Sequence, residues 1–216
     1  MPPRFFPPPS HATSDGLIAM GGDLSCEWLL DAYRHGIFPW PVHAEDPMLW
    51  WSPDPRAILP LDGLHVSRRL KRRLQAGEFE AVYDTAFEAV IRNCSVGPGR
   101  EGGTWLTPEM IDAYCALHLR GDAHSVECWQ NGKLVGGAYG VAIGGLFAAE
   151  SMFYRVRDAS KAALAYLVRH LDQRGYRLLD VQQWTPHTGS LGVVEISRDE
   201  YLRRLQEVVD LPVTFH

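Results

Sequence analysis

The sequence predicts an α+β protein. A small, irregular N-terminal domain, rich in proline and tryptophan, covers residues 1–62, and a larger sheet-and-helix domain covers residues 63–216. Three observations carry this. Two turn signals, Asn131-Gly132 and Gly144-Gly145, divide the stretch from Ser125 to Glu150 into three consecutive apolar strands, an antiparallel meander. A long amphipathic helix and one more strand follow the meander, the pattern of a βαβ crossover. Trp40, Trp50 and Trp51 stand within twelve residues among rigid prolines, where no regular period is visible.

Residues 1–15 are Pro-rich and read as extended chain. Asp23 or Ser25 caps a helix that runs to about His35 and stops at Gly36, with Trp28, Leu29, Leu30 and Tyr33 on its buried stripe. The aromatic segment from Gly36 to Arg56 is open to two readings, filler for a small core or a ring-stacking surface. Ser67 caps a short helix ending at Gly77. Five of its ten residues, Arg68, Arg69, Lys71, Arg72 and Arg73, are cationic, either a solvated face or a local phosphate-binding patch. Phe79 to Tyr83 reads as a strand, and Thr85 with Glu88 as a capping box opening a helix to about Asn93. The loop from Ser95 to Gly103 lacks the Gly-Lys-Ser/Thr of a phosphate loop. Thr107 and Pro108 start a helix that carries Tyr114 and ends at Gly121.

The third meander strand ends near Glu150, a lone carboxylate between apolar pairs. It is either a satisfied structural group or a functional one. Asp158 or Ser160 caps the long helix, Lys161 to Arg174, whose Leu164, Leu167, Val168 and Leu171 keep helical spacing. Tyr176 to Gln183 is a strand, Thr185 to Gly192 a loop, and Ser197 with Glu200 a capping box for a last helix to about Val208. The crossover sets the last strand beside the meander, so Glu150 and Asp180 are expected to face one cleft.

The 216 residues are 46% hydrophobic and 22% charged, ordinary for a globular chain. A net charge of −5 excludes a global basic field, though not a local patch. The four cysteines are far apart with no paired spacing, which argues against a zinc site or a disulfide framework and fits a reducing cytoplasm. The start lacks the apolar core of a signal peptide, and no run approaches the roughly 18 apolar residues of a membrane span. A soluble, cytoplasmic protein with no metal and no cofactor is expected. His118 and His124 lie six apart across a helix end, which speaks against a metal site between them. His187, in a Gly/Ser loop, is read as a base or as a structural hydrogen-bonder.

The element order resembles the GNAT N-acyltransferase fold, which grips the pyrophosphate of acyl-CoA with a Gly-rich turn and helix N-terminal amides. Here the corresponding turn, Tyr154 to Ser160, has no glycine, so a different activated acyl donor is wanted. Gly36-Ile37-Phe38-Pro39-Trp40, the run Leu49 to Arg56, Gly103-Thr104-Trp105, the run Val135 to Gly140, Glu150-Ser151-Met152-Phe153 and the run His187 to Gly192 are similar to the signature segments of leucyl/phenylalanyl-tRNA–protein transferases, in that order. The resemblance covers Asp15 to about Leu205. It implies a two-domain chain with a GNAT-like C-terminal domain, and transfer of Leu or Phe, less well Met, from aminoacyl-tRNA to proteins that begin with Arg or Lys, marking them for N-degron (N-end rule) degradation.

The resemblance also implies roles. Asp180 and Gln182 match a strand Asp-x-Gln pattern and share a strand face. In the family reading Asp180 polarises Gln182, which holds the attacking amine. Direct holding of the amine by Asp180 is the alternative or complement. Glu150 sits by a cationic group, preferably the acceptor's Arg or Lys side chain rather than an α-ammonium. Met152 is the leading lining candidate for the donor pocket, with Ala138, Phe153 and Leu179 behind it. Ala138 stands where the family pattern has a bulkier residue. Trp50, Trp51, Trp105 and Tyr114 are candidates to stack on the terminal adenosine, and Arg68, Arg69, Lys71, Arg72 and Arg73 to contact acceptor-stem phosphates. The text after Gln182, up to Pro186, departs from the family pattern. Two other readings are an acyl-CoA N-acyltransferase and a non-catalytic RNA-binding protein.

Overall fold

A computed structural model describes residues 4–42, 47–96 and 105–216. The sequence leads one to expect an irregular N-terminal segment, but part of it is a small sheet. Leu17–Met20 (β1), Phe38–Pro39 (β2) and Leu49–Trp51 (β3) pair antiparallel in the order β1-β3-β2. Strands this short show no alternation that a sequence can reveal. Between them lies a helix at Cys26–Arg34 (α1), with Leu29, Ala32 and Tyr33 buried. Asp23 supports its start by accepting the Ser25 backbone N–H at 2.8 Å.

Arg56–Ile58 (β4) leaves the small sheet and joins a large one. A helix at Arg68–Gln75 (α2) follows, its Ser67 hydroxyl oxygen accepting from the Leu70 N–H. Glu80–Tyr83 (β5) leads to a helix at Phe87–Val96 (α3). The expected Thr85–Glu88 capping box gives way to a buried acceptor: the Thr85 hydroxyl donates to Glu127 at 2.8 Å, as does that of Ser125 at 2.6 Å. Most of the loop after Ser95, with Gly103 and Thr104 of one signature segment, lies outside the described residues. The helix at Pro108–Arg120 (α4) starts on the Thr107 cap and ends at Gly121, φ 83°.

Ala123–Gln130 (β6), Lys133–Ile143 (β7) and Leu146–Tyr154 (β8) form the expected meander, turned first by Asn131 and Gly132 at φ 52° and 70°. β8 runs past Glu150 rather than ending there. Ala159–Arg174 (α5) crosses to Leu178–Gln182 (β9), which pairs parallel with β8. The loop expected after it contains one short helical turn, Pro186–Gly189 (α6), closed by a Thr185–Thr188 capping box. Val194–Ile196 (β10) and a helix at Arg198–Val208 (α7) follow. The large sheet has the order β10-β4-β9-β8-β7-β6-β5.

Helices cover both faces. Leu29, Tyr33, Val90, Met110, Tyr114 and Tyr139 share one core, and Leu164, Leu167 and Leu171 of α5 share another with Phe147 and Leu179. Strand alternation sorts neighbours between them: Phe153 belongs to the first core, while Met152 packs beneath α5.

Two local irregularities make the site. The β8–β9 ladder runs only from Leu146↔Leu178 to Ala148↔Asp180, and beyond it β9 is held on its other edge by β4 (Ala57↔Gln182). Between β7 and β8 the register slips from Gly140↔Ala149 to Tyr139↔Ser151, which leaves Glu150 as the extra residue of a β-bulge. A Cβ at Gly140 would stand 2.2 Å from the Ala148 carbonyl oxygen, so the bulge needs glycine opposite it.

Candidate active site

A cleft of about 280 Å³ opens where β8 and β9 part. Glu150 and Gln182 lie at its head. Leu164 and Leu167 of α5, together with Met152 and Ala138, form an apolar wall, and Trp40 and Trp105 stand at the rim, ring centroids 5.7 Å apart. Glu150 is half-buried. The Gln182 side-chain amide donates to its Oε1 at 2.8 Å, and the Tyr114 hydroxyl donates to its Oε2 at 3.0 Å. Behind Tyr114 the Tyr33 hydroxyl lies 2.6 Å away, with both tyrosines buried. Burial pushes the Glu150 pKa up to about 7. The tyrosine hydrogen bonds pull it down, and the Asp180 charge adds to the upward push. A carboxyl poised there can accept a proton near neutral pH.

Beneath this head lies an ion pair. Asp180 is 0% exposed. Arg56 Nε donates to its Oδ1 at 2.9 Å and Nη2 to its Oδ2 at 2.6 Å. The Tyr201 hydroxyl (2.8 Å) and the Gln182 backbone N–H (2.9 Å) donate to the same carboxylate. Arg56 itself is buried between the rings of Phe38 and Tyr201, its third hydrogen bond reaching the Gly36 carbonyl at 3.0 Å. Burial opposes the guanidinium charge, Asp180 more than restores it, and the pKa ends above the ordinary arginine value. Four donors thus fill Asp180, and it has no oxygen open to a substrate amine. Its contact with Gln182 is through the backbone, where it holds a residue at φ 59°, and not through the amide it was expected to polarise.

Several expected contacts change place. Trp50 is 0% exposed, donates Nε1–H to the Gly21 carbonyl and packs on Phe6 and Trp28, so its ring cannot receive a base. Tyr114 is likewise buried and serves Glu150. Phe153 and Leu179 are core residues that do not line the cleft. Trp51 borders a smaller neighbouring hollow with Trp40, to whose carbonyl it donates. The exposed His187 does not line the cleft. On α2, Arg69 and Arg73 are tied to Asp158 at 2.9 and 3.2 Å. Arg68, Lys71 and Arg72 are exposed with no ion-pair partner among the described residues. Asp158 is the N-terminal cap residue of α5 but makes no capping bond, its carboxylate going to those arginines instead.

Sequence reasoning did not single out Arg56, Tyr33 or Trp40 as site residues, though all three lie in segments it marked. Two family models match in tandem: leucyl/phenylalanyl-tRNA protein transferase over residues 58–206, and the N-terminal domain of the same over residues 22–54. The chain belongs to the leucyl/phenylalanyl-tRNA protein transferase family.

Proteins bearing that name are similar along nearly all of it. The one from Chromohalobacter salexigens is 53% identical over 211 residues, 97% of this chain and 82% of its own. The one from Solidesulfovibrio magneticus is 54% identical over 202 residues, 93% and 81%. Among solved structures, L-PGS from Bacillus licheniformis is similar over 75% of this chain and 52% of its own, at 16% identity and a TM-score of 0.45. A GCN5-related N-acetyltransferase from Kribbella flavida is similar over 77% and 59%, at 16% and 0.40. The family activity is the transfer of Leu or Phe from aminoacyl-tRNA to protein N-termini, and its role is in N-end rule degradation. No helix among the described residues is long and apolar enough to cross a membrane.

Proposed function

We propose that the cleft joins Leu, Phe and, less well, Met from aminoacyl-tRNA to proteins beginning with Arg or Lys, with Glu150 and Gln182 meeting the acceptor. The observation that carries this reading is the Glu150–Gln182 pair, 2.8 Å apart across the parted strands, at the head of an apolar cleft. The donor ester is already activated. The α-amine nitrogen attacks its carbonyl carbon, the bond to the ribose oxygen breaks, and that oxygen leaves with a proton while the amine gives one up. An α-amine with a reference pKa of about 7.7–8.0 is mostly protonated at pH 7, so a nearby acceptor such as Glu150 assists. Gln182 orients the amine, and an ionised Glu150 also favours a cationic acceptor. Met152, Ala138, Leu164 and Leu167 receive the donor side chain, where a thioether adapts to Leu and Phe alike. The wall of Trp40 and Trp105 suits the terminal adenosine. Residues 1–62 act as a small domain that lends Trp40 and Arg56 to the larger one. Asp180 is a positioning residue.

Radiolabelled Leu-, Phe- and Met-tRNA offered with peptides starting Arg, Lys, Asp or Ala test the reading. Label is expected on the Arg and Lys peptides alone. Equal labelling of the Ala peptide sinks the acceptor rule.

Arg68, Lys71 and Arg72 present the free cationic face of α2 to acceptor-stem phosphates. Lys71→Glu with Arg72→Glu is expected to weaken use of aminoacyl-tRNA and to flatten its salt dependence by roughly 0.7–0.9 in log–log slope for each phosphate no longer neutralised. An aminoacyl-adenosine donor, which has no stem, is expected to react as before. Equal weakening with both donors removes the patch from the tRNA interface.

A further inference from the structure

At the end of the meander that carries the Gly144 turn a second cavity, about 410 Å³, is lined by Asp122, His124, Tyr176, Phe215 and His216 among others, and shares no residue with the cleft. At its edge three ligand-bearing side chains converge. Asp84 follows β5, His124 is in β6, and His216 closes the segment after α7. The Asp84 Oδ2 lies 2.6 Å from His124 Nδ1 and 2.6 Å from His216 Nε2. One ligand atom from each residue falls within 4.8 Å of the others. We propose that Asp84, His124 and His216 bind one late first-row divalent cation, Zn²⁺ foremost.

Four features support a metal over a casual cluster. The donor set is two imidazole nitrogens and one carboxylate oxygen, the borderline ligands that Zn²⁺ and Co²⁺ favour. The set is oriented from outside: the Ser125 backbone N–H holds Asp84 Oδ1 at 2.7 Å, leaving Oδ2 to the rings. The His124 ring is buried and lies face to face with Phe215, centroids 4.2 Å apart at 7°. The His216 side chain is 62% exposed, so water and ions can reach the trio from that side. Without a metal, each ring can turn an N–H on its near nitrogen toward Oδ2. A cation takes the place of those two protons, each going to water from a cationic ring or, in a neutral ring, being exchanged for one on the ring's other nitrogen, and spreads the 2.6 Å contacts toward the roughly 3.3 Å between ligands of a tetrahedron with bonds of about 2.0–2.1 Å. The exposed His216 can make that adjustment. His118 flanks the site, its Nδ1 3.9 Å from Asp84 Oδ1, but that nitrogen is turned to the Ala123 carbonyl at 2.8 Å. Sequence spacing points away from such a site because His118 and His124 are its only close histidine pair there, and the ligands come from three distant segments.

The test uses the whole chain stripped with a chelator. Zn²⁺ is titrated in against a chromophoric chelator, and Co²⁺ is followed by its visible absorption. One Zn²⁺ per chain and the intense visible bands of four-coordinate Co²⁺ are expected. His216→Ala, at a position whose side chain is 62% exposed, is expected to weaken Zn²⁺ binding at least about tenfold, the lower end of what loss of even an outer-shell partner does. Asp84→Asn is expected to do the same. Absence of a stoichiometric Zn²⁺, or binding by His216→Ala equal to the parent, overturns the proposal and leaves the trio a hydrogen-bonded clasp.

Discussion

Asp180→Asn is expected to lower the stability of the chain by about 3–5 kcal/mol, and transfer is expected to fall with it. The magnitude is that of a buried ion pair broken from one side. Asn keeps the shape but not the charge. It leaves the Arg56 guanidinium buried between Phe38 and Tyr201 without a counter-ion. It also replaces an acceptor that serves four donors with an amide that has one oxygen. The consequence reaches the cleft because the Asp180 carboxylate fixes the backbone N–H of Gln182, whose side chain holds Glu150. Urea unfolding of the parent, Asp180→Asn, Arg56→Met and the double variant measures this. The double variant is expected to lose clearly less than the sum of the singles, since removing both charges spares the unpaired one. It will not recover fully, because the Gly36 carbonyl loses its donor and the one Asn oxygen cannot replace both carboxylate oxygens that serve Tyr201 and the Gln182 N–H, at roughly 1–3 kcal/mol for each group left unmet. An Asp180→Asn protein as stable as the parent but inactive contradicts this account and restores Asp180 as a group that acts on substrate.

The contrast between Asp180 and Glu150 shows where sequence reading stops. Helix ends are written in local chemistry: Ser67, Thr107 and Gly121 act within three or four residues of themselves, and the structure finds them at those tasks. The hairpin at Asn131-Gly132 and the crossover through α5 are equally local. Arg56 and Asp180 are 124 positions apart, and their meeting depends on β4 entering the large sheet beside β9, which a three-residue strand does not announce. Trp50 and Tyr114 are the converse case. An aromatic ring reads the same in sequence whether it fills a core or faces a ligand, and the packing decides. Both are buried, so the aromatic surface of the cleft falls to Trp105 and to Trp40. Glu150 carried a legible sign, a charge inside an apolar strand. Its bulge did not, because the slip that creates it lies in the pairing with Gly140 and Ser151's partner Tyr139 rather than in β8 alone.

Above pH 7, Glu150→Gln is expected to make the protein more stable and much less active. The folded-state pKa of Glu150 is raised from 4.5 to about 7, chiefly by burial. For an acid raised in this way the fold binds the proton more tightly than the unfolded chain. The favourable contribution is full below the unfolded pKa of about 4.5 and is lost as pH rises through about 7. At pH 8 the parent therefore carries an ionised, half-buried carboxylate that its fold disfavours, and glutamine removes that charge while keeping an acceptor for Tyr114. Denaturation midpoints of the parent are expected to fall between pH 5 and 7 relative to those of the variant, which keeps only the rise with pH that the burial-lowered pKa of His170 gives both proteins. Transfer moves the other way. Glutamine takes up no proton, so kcat/KM is expected to drop about 10²–10⁴-fold, the usual scale for loss of general acid–base assistance. The parent's rate is expected to rise through two ionisations, that of Glu150 near 7 and that of the acceptor α-amine near 7.7–8.0. In Glu150→Gln only the amine's should survive. A variant that keeps both ionisations at reduced rate assigns the lower one to another group and limits Glu150 to holding the acceptor. A variant whose stability still falls between pH 5 and 7 places the buried proton elsewhere.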